Sequence, residues 1–394
     1  MPTVRRPEDR ARATWAGALA AVLLAATLAA TSALADTLQP RGTVPMLGHA
    51  VVFSRFLPGA DMGDLYRINA GETVEHRIRD VFDAAILSPD GARFLDFAPT
   101  ADDRGSTAIF NVDGSGYQVL PIPDAALELP GGAWSAGSAR VATEGWGLDG
   151  NPHGVSIYSR LASDGGGLIR LTDAGTGHDY PVKSSPDGSK LLFFRPDANG
   201  ETSDGAAQDA FVVGADGSGL LRLSPPGTTT AFVFSHDAVS WSPEGTKVAI
   251  VLANGPFWTN TERSIYIVRS DGSARQRVGP RGDIWDAVWS PDGRWLAFTM
   301  ATKASNGLHQ LFLMHPDGSG LRPLTSAKDG LFSLQPVWSP DSQQLLFIRG
   351  VQRRFPGGPA DVSVTDLWSI NRSGSGLSQV THVPSGYRAV AWLP

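Results

Sequence analysis

A short phrase, Ser-Pro-Asp-Gly or a close variant, recurs along this chain at intervals of about fifty residues, a spacing typical of repeat proteins. The copies begin at Ser88, Ser185, Ser242, Ser290 and Ser339. In each copy the proline presets φ for a turn, the acidic residue is tolerated next, and the last position favours a left-handed backbone. A short apolar run rich in β-forming residues follows, as in residues 295–298. This pattern predicts an array of similar β units.

Each unit carries two further elements. An Asp-Gly pair separates two strand-like runs, which is a strong hairpin pattern; clear copies are at Asp113, Asp216, Asp271 and Asp317. A short strand that ends in tryptophan precedes most of the Pro-Asp-Gly turns, as at Trp241. Each unit therefore has four antiparallel strands, and their radial repetition predicts an all-β fold, the β-propeller.

The number of units follows from the residues that open the turns. These are Ser88, Ser135, Ser185, Ser242, Ser290, Ser339 and Leu393. They predict seven blades, or six if the degenerate unit around Trp134 is not a blade. Leu393 has no strand after it, whereas residues 51–53 form a strand with no turn before it. We therefore expect the N- and C-terminal strands to share one blade, which would close the ring and remove its exposed edges.

The two ends of the chain differ in character. Residues 1–35 begin with arginines, continue with an uncharged apolar stretch and end in Ala-Leu-Ala, which predicts a secretory signal peptide; an uncleaved membrane anchor is the alternative. Residues 36–49 form a short lead, and residues 50–394 are expected to form a single propeller domain. The predicted location is periplasmic or secreted, with no integral membrane span after cleavage.

Composition excludes several kinds of chemistry. The 394 residues include no cysteine, so the chain has no disulfide, thiolate nucleophile or cysteine metal site. Its formal net charge is −6 with no run of basic residues, which argues against a nucleic-acid partner. Motifs typical of serine hydrolases, zinc peptidases, phosphate loops and dinucleotide sites are absent from the sequence.

The turns of a propeller lie on one face, and the longer, irregular loops lie on the other, where binding residues concentrate. The predicted ligand-binding residues are loop residues and two carboxylates expected near the channel mouth: Trp146, His153, Phe257, Trp258, Arg353, Asp283 and Asp286. By contrast, the tryptophans that follow the repeat are predicted to be core residues between blades; these are Trp134, Trp241, Trp289, Trp338 and Trp392.

No cofactor is expected under this interpretation, but a divalent metal is an alternative. His178 and His236 precede inner strands and should lie near the channel, where imidazole and carboxylate groups can bind a divalent cation. These polar residues could equally cap strands and line a solvated channel.

The repeats resemble the WD40-like repeats of TolB-type propellers over nearly all of the chain from about residue 50. The resemblance rests on Trp-Ser-Pro-Asp-Gly at 289–293 and Trp-Ser-Pro-Glu-Gly at 241–245. It implies a non-enzymatic module of the cell envelope that binds a protein or a small ligand on the irregular face. The repeats are also similar to those of oligogalacturonate lyases, which implies an alternative, a metal-dependent polysaccharide lyase or hydrolase with its site at the channel mouth.

Overall fold

The structure is a computed structural model, and it describes most of the chain beyond residue 46. The described ranges are 47–56, 62–82, 85–134, 138–147, 154–175, 177–196, 208–230, 238–254, 262–353, 362–383 and 385–393. The predicted signal peptide and all but the last three residues of the predicted lead lie outside them. Within the described ranges no helix is both long and apolar enough to cross a membrane.

The predicted all-β class is confirmed. A short 3-10 turn at Lys303–Ser305 interrupts a series of strands. The strands are β1 Val51–Phe56, β2 Gly63–Ile68, β3 Glu75–Val81, β4 Ile86–Leu87, β5 Arg93–Pro99, β6 Gly105–Asn111, β7 Gln118–Val119, β8 Leu127–Glu128, β9 Ala133–Trp134, β10 Arg140–Gly147, β11 Ser156–Leu161, β12 Ile169–Arg170, β13 Tyr180–Ser184, β14 Lys190–Pro196, β15 Gln208–Gly214, β16 Leu221–Arg222, β17 Thr228–Thr230, β18 Val239–Trp241, β19 Lys247–Asn254, β20 Arg263–Arg269, β21 Arg275–Trp289, β22 Leu296–Ala301, β23 His309–Met314, β24 Arg322–Pro323, β25 Phe332–Trp338, β26 Gln344–Arg353, β27 Val362–Asn371, β28 Ser378–Gln379 and β29 Gly386–Trp392.

These strands pair antiparallel in five sheets. Three sheets have four strands each, in the orders β29-β1-β2-β3, β4-β5-β6-β7 and β25-β26-β27-β28. A fourth sheet has five strands, with β8 and β9 both paired to β10 and the order continuing to β11 and β12. The fifth sheet has twelve strands from β13 to β24, because β17 bridges β15 and β19, and because the long strand β21 pairs first with β20 and then with β22.

The Pro-Asp-Gly turns are held by a repeated set of hydrogen bonds. In the first copy the Ser88 hydroxyl donates to Asp90 at 2.6 Å and accepts the backbone N–H of Arg93 at 2.9 Å. The copies at Ser290 and Ser339 have the same pair of bonds. The last turn position is left-handed, with φ of 70° at Gly91. This geometry is what the residue pattern predicts for a turn of this kind.

Two serines occupy that left-handed position in place of glycine. Ser138 has φ of 56° and Ser342 has φ of 60°. Each hydroxyl accepts a backbone N–H from a turn of another unit, at 3.3 Å from Asp90 and 3.0 Å from Asp292 respectively. These bonds between units offset the cost of a left-handed conformation at a residue other than glycine.

The periodic tryptophans join the inner strands, as predicted. All five are buried, and four of them donate the indole N–H to a backbone carbonyl on the inner strand of the preceding unit. These bonds run from Trp134 to Ile86 at 2.8 Å, from Trp241 to Lys183 at 3.1 Å, from Trp338 to Val288 at 3.3 Å and from Trp392 to Val337 at 3.1 Å. The fifth, Trp289, donates its backbone N–H to the Ser240 hydroxyl.

The last strand lies in the first sheet. β29 pairs with β1 in the register Val51 to Trp392 and Val52 to Ala391. Leu393 then packs with Phe94 of the second unit in one buried cluster. The predicted sharing of one sheet by the N- and C-terminal strands is therefore present.

Candidate functional site

The irregular face is the side on which the second strand of each unit ends and the inner strand begins. Several residues predicted to bind a ligand or metal there lie outside the described residues; these are His153, His236, Phe257 and Trp258. Arg353 ends strand β26, where it pairs with Val362. Four predicted residues on this face lie within the described ranges: Trp146, His178, Asp283 and Asp286. Three of them belong to two side-chain clusters, and the fourth, Asp286, is a buried carboxylate.

The first group, which we call the Trp146 cluster, contains Glu144, Trp146, His178 and Tyr180. The Glu144 carboxylate accepts the indole N–H of Trp146 at 3.1 Å and lies 3.0 Å from Nε2 of His178. The His178 ring meets the Trp146 ring edge-on at 4.9 Å between centroids and stacks on Tyr180 at 3.7 Å. Glu144 retains 25% of its side-chain exposure, whereas His178 retains 10%. The cluster therefore combines an accessible carboxylate with an ordered aromatic wall.

Local sequence explains how these side chains meet. Glu144 and Trp146 are two residues apart on β10, so both side chains leave the same face of the strand. Gly145 between them lies against Tyr158 so closely that a Cβ would be 2.3 Å from its ring. His178 is placed by an isolated parallel bridge to Val155, just before β13. The cluster therefore spans two consecutive units.

The second group, the Asp283 cluster, contains Arg263, Asp283, Trp285 and His309. The Asp283 carboxylate accepts from Arg263 at 2.5 Å and from the Trp285 indole at 3.0 Å, and it lies 3.6 Å from Nε2 of His309. Trp285 and His309 are in ring contact at 4.5 Å. As in the Trp146 cluster, a carboxylate is followed two residues later by a tryptophan and is met by a histidine from another part of the chain.

Electrostatics keep Asp283 ionised. Burial alone raises the pKa of its carboxyl, but the nearby His309 ring, the charge of Arg263 and the hydrogen bond from Trp285 outweigh burial, so the net pKa is lowered. Asp283 is thus a carboxylate near neutral pH. It is committed mainly to Arg263, which is almost completely buried.

Asp286 occupies a different environment. It is 2% exposed, and its carboxylate accepts from the Thr299 hydroxyl at 2.8 Å and from the Gln335 backbone N–H at 3.2 Å. These bonds join β21 to β22 and to β25 of the next unit. Asp286 therefore has a clear structural role between two units.

A metal site needs several donors that point to one place. Among the described residues no group of three or more histidine, cysteine, aspartate or glutamate side chains is placed to hold a metal ion. Around His178 the described donors are one imidazole and one carboxylate, whereas catalytic zinc commonly has three protein ligands. The described residues therefore do not supply a full donor set.

Sequence reasoning missed Glu144, Arg263 and His309. Glu144 and Asp283 each stand two residues before a tryptophan that is outside the periodic series, and this acidic-x-Trp pattern is visible in the sequence. His309 and Arg263 open strands in other parts of the units, so only the fold places them beside Asp283.

No protein-family model matches the chain. The uncharacterized peptidase YuxL of Bacillus subtilis is 32% identical over 134 residues, which is 32% of this chain and 19% of YuxL. The Tol-Pal system protein TolB of Anaeromyxobacter dehalogenans is 27% identical over 99 residues, 25% of this chain and 20% of that protein. The chain thus spans about one fifth of the length of these curated relatives.

Solved structures show that the fold is that of β-propeller proteins. A prolyl endopeptidase matches 98% of this chain over 56% of its own, with a TM-score of 0.60 and 13% identity. The β-propeller domain of the Trilobed protease from Pyrococcus furiosus has a TM-score of 0.57 and 10% identity, over 86% of this chain and 97% of that domain. An oligogalacturonate lyase in complex with manganese has a TM-score of 0.56 and 12% identity, over 90% of this chain and 95% of the lyase chain.

These similarities correct one prediction. A non-enzymatic protein was expected from the TolB-type resemblance, but YuxL is named a peptidase, and the structural matches include a prolyl endopeptidase and an acylaminoacyl peptidase. The expectation that the chain is not an enzyme is therefore contradicted. The propeller repeat is shared by proteins of both kinds, so it does not separate them.

Proposed function

We propose that this chain is an exported, periplasmic propeller of seven blades, closed by β29, and that its irregular face binds a small ligand or an envelope protein. The order of the inner strands supports the ring, because tryptophan and serine bonds link them consecutively from β4 to β29. The cluster that joins Leu393 to Phe94 supports closure between the last strand and the second unit. Residues 1–35 would supply the export signal, and residues 50–394 would form one domain.

The Trp146 cluster is the proposed centre of binding. The single observation that carries this proposal is the contact of one partly exposed carboxylate, Glu144, with both Trp146 and His178 at the irregular face. An aromatic ring fixed beside a carboxylate offers stacking and hydrogen bonding to one ligand. The ring of Trp146 is already oriented by its own hydrogen bond, so binding would cost little side-chain ordering.

Calorimetric titration with three chemically distinct probes tests this proposal. Trigalacturonate and a short proline-containing peptide follow the chemistry named for two similar proteins, and cellotriose is an uncharged sugar of matched length. We expect at least one probe to bind the full chain, and its affinity to fall by about tenfold or more in both Trp146→Ala and His178→Ala, a loss of 1.4 kcal/mol or more.

The matched control is Trp295→Ala. Trp295 also contacts a histidine, His315, at 4.1 Å, but it follows a Pro-Asp-Gly turn and lies on the turn face. We expect this variant to bind as the natural chain does. Binding that is unchanged in the Trp146 and His178 variants, or the absence of binding by all three probes, would contradict the proposal.

A second candidate function is metal-dependent lyase or hydrolase chemistry at the same place. The contact between His178 and Glu144 favours it, because imidazole and carboxylate are both metal donors. We derive no metal-dependent step, since the described donors fall short of a complete site. Elemental analysis of the purified protein tests this candidate: bound metal that disappears in His178→Ala supports it, and a metal-free protein contradicts it.

A further inference from the structure

Strands β18 to β21 form one four-stranded unit within the twelve-stranded sheet, and the outer edge of this unit differs from that of most other units. In five units the outermost strand, β7, β12, β16, β24 or β28, is two residues long. Here residues 275–282 of β21 form a long outermost strand that pairs with β20 alone among the described strands. The other long outermost strand is β3. A long edge strand presents backbone N–H and C=O groups to which another chain can pair.

Three arginines, which we call the arginine strip, lie on one face of this strand. Arg275 is opposite Val268, Arg277 is opposite Tyr266, and Arg281 is opposite Ser264. The β20 partners are alternate residues, so they share a face, and their opposite arginines share it too. Arg281 stays on the same face as Arg275 and Arg277 because a bulge adds two residues, an even number, between Val278 and Arg281.

The bulge packs closely against the next unit on the other side of the strand. Gly279 has φ of 68°, and a Cβ there would lie 2.6 Å from the sulfur of Met314. Val278 is buried with Met314 in the core shared with the next unit. The arginine strip is therefore held in place by a packed opposite face.

The arginine strip has no counter-charge within the described part of the chain. Arg275, Arg277 and Arg281 are all exposed, and none of the ion pairs or hydrogen bonds among described residues involves their side chains. The neighbouring outer segment 217–230 has no acidic residue. This stands out in a chain of net charge −6.

Strand β3 provides an internal contrast. Its Arg77 pairs with Asp64 at 2.7 Å, its Glu75 pairs with Arg55, and His76 lies 2.8 Å from Glu72. Arg79 lies over the ring of Tyr117, 3.9 Å from its centroid. The charged side chains of this long outer strand therefore have partners within the molecule, whereas those of the arginine strip are available to another molecule.

We propose that the β21 edge binds an extended acidic segment of a partner protein, which adds to the sheet as a further strand. Alternate residues of an extended strand repeat at about 6.8 Å, so carboxylates at every second position would face Arg275 and Arg277. Each guanidinium can hold a carboxylate through two parallel hydrogen bonds. The free backbone edge favours a peptide over an anionic polysaccharide, because only a peptide continues the strand hydrogen bonds.

Fluorescence anisotropy with labelled peptides tests this proposal on the full chain. The probe is an eight-residue peptide that alternates threonine and glutamate. The comparison peptides are a threonine–lysine version and two versions of the probe, one N-methylated at the odd-numbered residues and the other at the even-numbered residues. We expect the acidic peptide to bind, the lysine peptide not to bind, and one of the two possible N-methylation phases to abolish binding. Affinity should fall by about tenfold or more in R275Q/R277Q and should weaken with salt.

The control variant is R77Q on β3, which should leave peptide binding unchanged, and circular dichroism confirms that each variant is folded. Three outcomes would overturn the proposal. The acidic peptide fails to bind the natural chain, both methylated peptides bind equally well, or polygalacturonate binds through the arginines while the peptide does not. In the first case the arginines act only to keep this edge from self-association.

Discussion

Replacing Trp392 by alanine should lower the free energy of unfolding by about 3–5 kcal/mol, the usual cost of removing a buried tryptophan. Trp392 is 6% exposed and packs with Val51 and Phe53 of the first strand and with Leu346 of the last complete unit. Its indole also donates to the carbonyl of Val337. The substitution would therefore weaken the first sheet and its contact with the β25–β28 sheet together. Chemical denaturation followed by circular dichroism measures the effect.

Trp392→Phe is the matched control for this experiment. Phenylalanine retains most of the apolar surface but cannot donate to Val337, so we expect a loss of about 1–2 kcal/mol, a lost hydrogen bond with a small cavity. An alanine variant that unfolds within about 1 kcal/mol of the natural chain would show that β29 is not an integral strand.

The second large effect concerns a buried carboxyl in β27. The pKa of Asp366 is raised to about 7 because the effect of burial is larger than the opposing effects of the Thr381 hydrogen bond and the Arg55 charge. The folded chain therefore holds a proton that the unfolded chain releases above about pH 4. Stability should fall as pH rises from about 4 to about 7, and the loss contributed by this group is about 2–4 kcal/mol.

Asp366→Asn removes the ionisation but keeps the shape of the side chain. At pH 8 we expect the free energy of unfolding of this variant to exceed that of the natural chain by about 2–4 kcal/mol. At pH 4 we expect the difference between the two to fall below about 1 kcal/mol. Urea denaturation at both values of pH measures this. If the variant and the natural chain differ in free energy of unfolding by the same amount at pH 4 and pH 8, the effect does not come from ionisation of Asp366.

Asp209→Asn is the matched control for the pH experiment. Asp209 holds the corresponding position in β15, but its carboxylate accepts from Arg222 at 2.5 Å and from Ser224 at 2.8 Å. The amide would leave Arg222 without its ionic partner, so we expect this variant to be destabilised at pH 8 by about 1–3 kcal/mol. The two substitutions should therefore have opposite signs.

Much of the fold could be predicted because its strongest local patterns are repeated. Turn chemistry at Ser88 and Ser290 and the hairpins at Asp216 and Asp317 agree with one another at a constant spacing, so each copy supports the others. The bridging strand β17 was not predicted, because residues 228–230 are three threonines with no alternation or turn pattern of their own. Long-range pairing, which no local pattern records, places them.

The candidate site was less predictable for the same physical reason. Trp146 could be selected because it breaks the repeat, and Asp283 because it precedes an inner strand near the expected channel mouth. Arg263 and His309, however, come from other strands and are ordinary polar residues in the sequence. Arg275 and Arg277 are separated by a glutamine and do not form a basic run. Only the register with β20 shows that they and Arg281 share one face.

Closure of the ring through the last strand is the central structural claim, and an engineered disulfide tests it most directly. Val52 and Ala391 are register partners, and facing residues of antiparallel strands lie within disulfide range. The natural chain has no cysteine, so V52C/A391C introduces a single possible bond. Oxidation of the folded monomer should join the peptides that contain these two residues, as read by mass spectrometry, whereas V52C/A249C should remain reduced. A monomer that forms no bond between positions 52 and 391, or that forms bonds only between molecules, would contradict the closed ring.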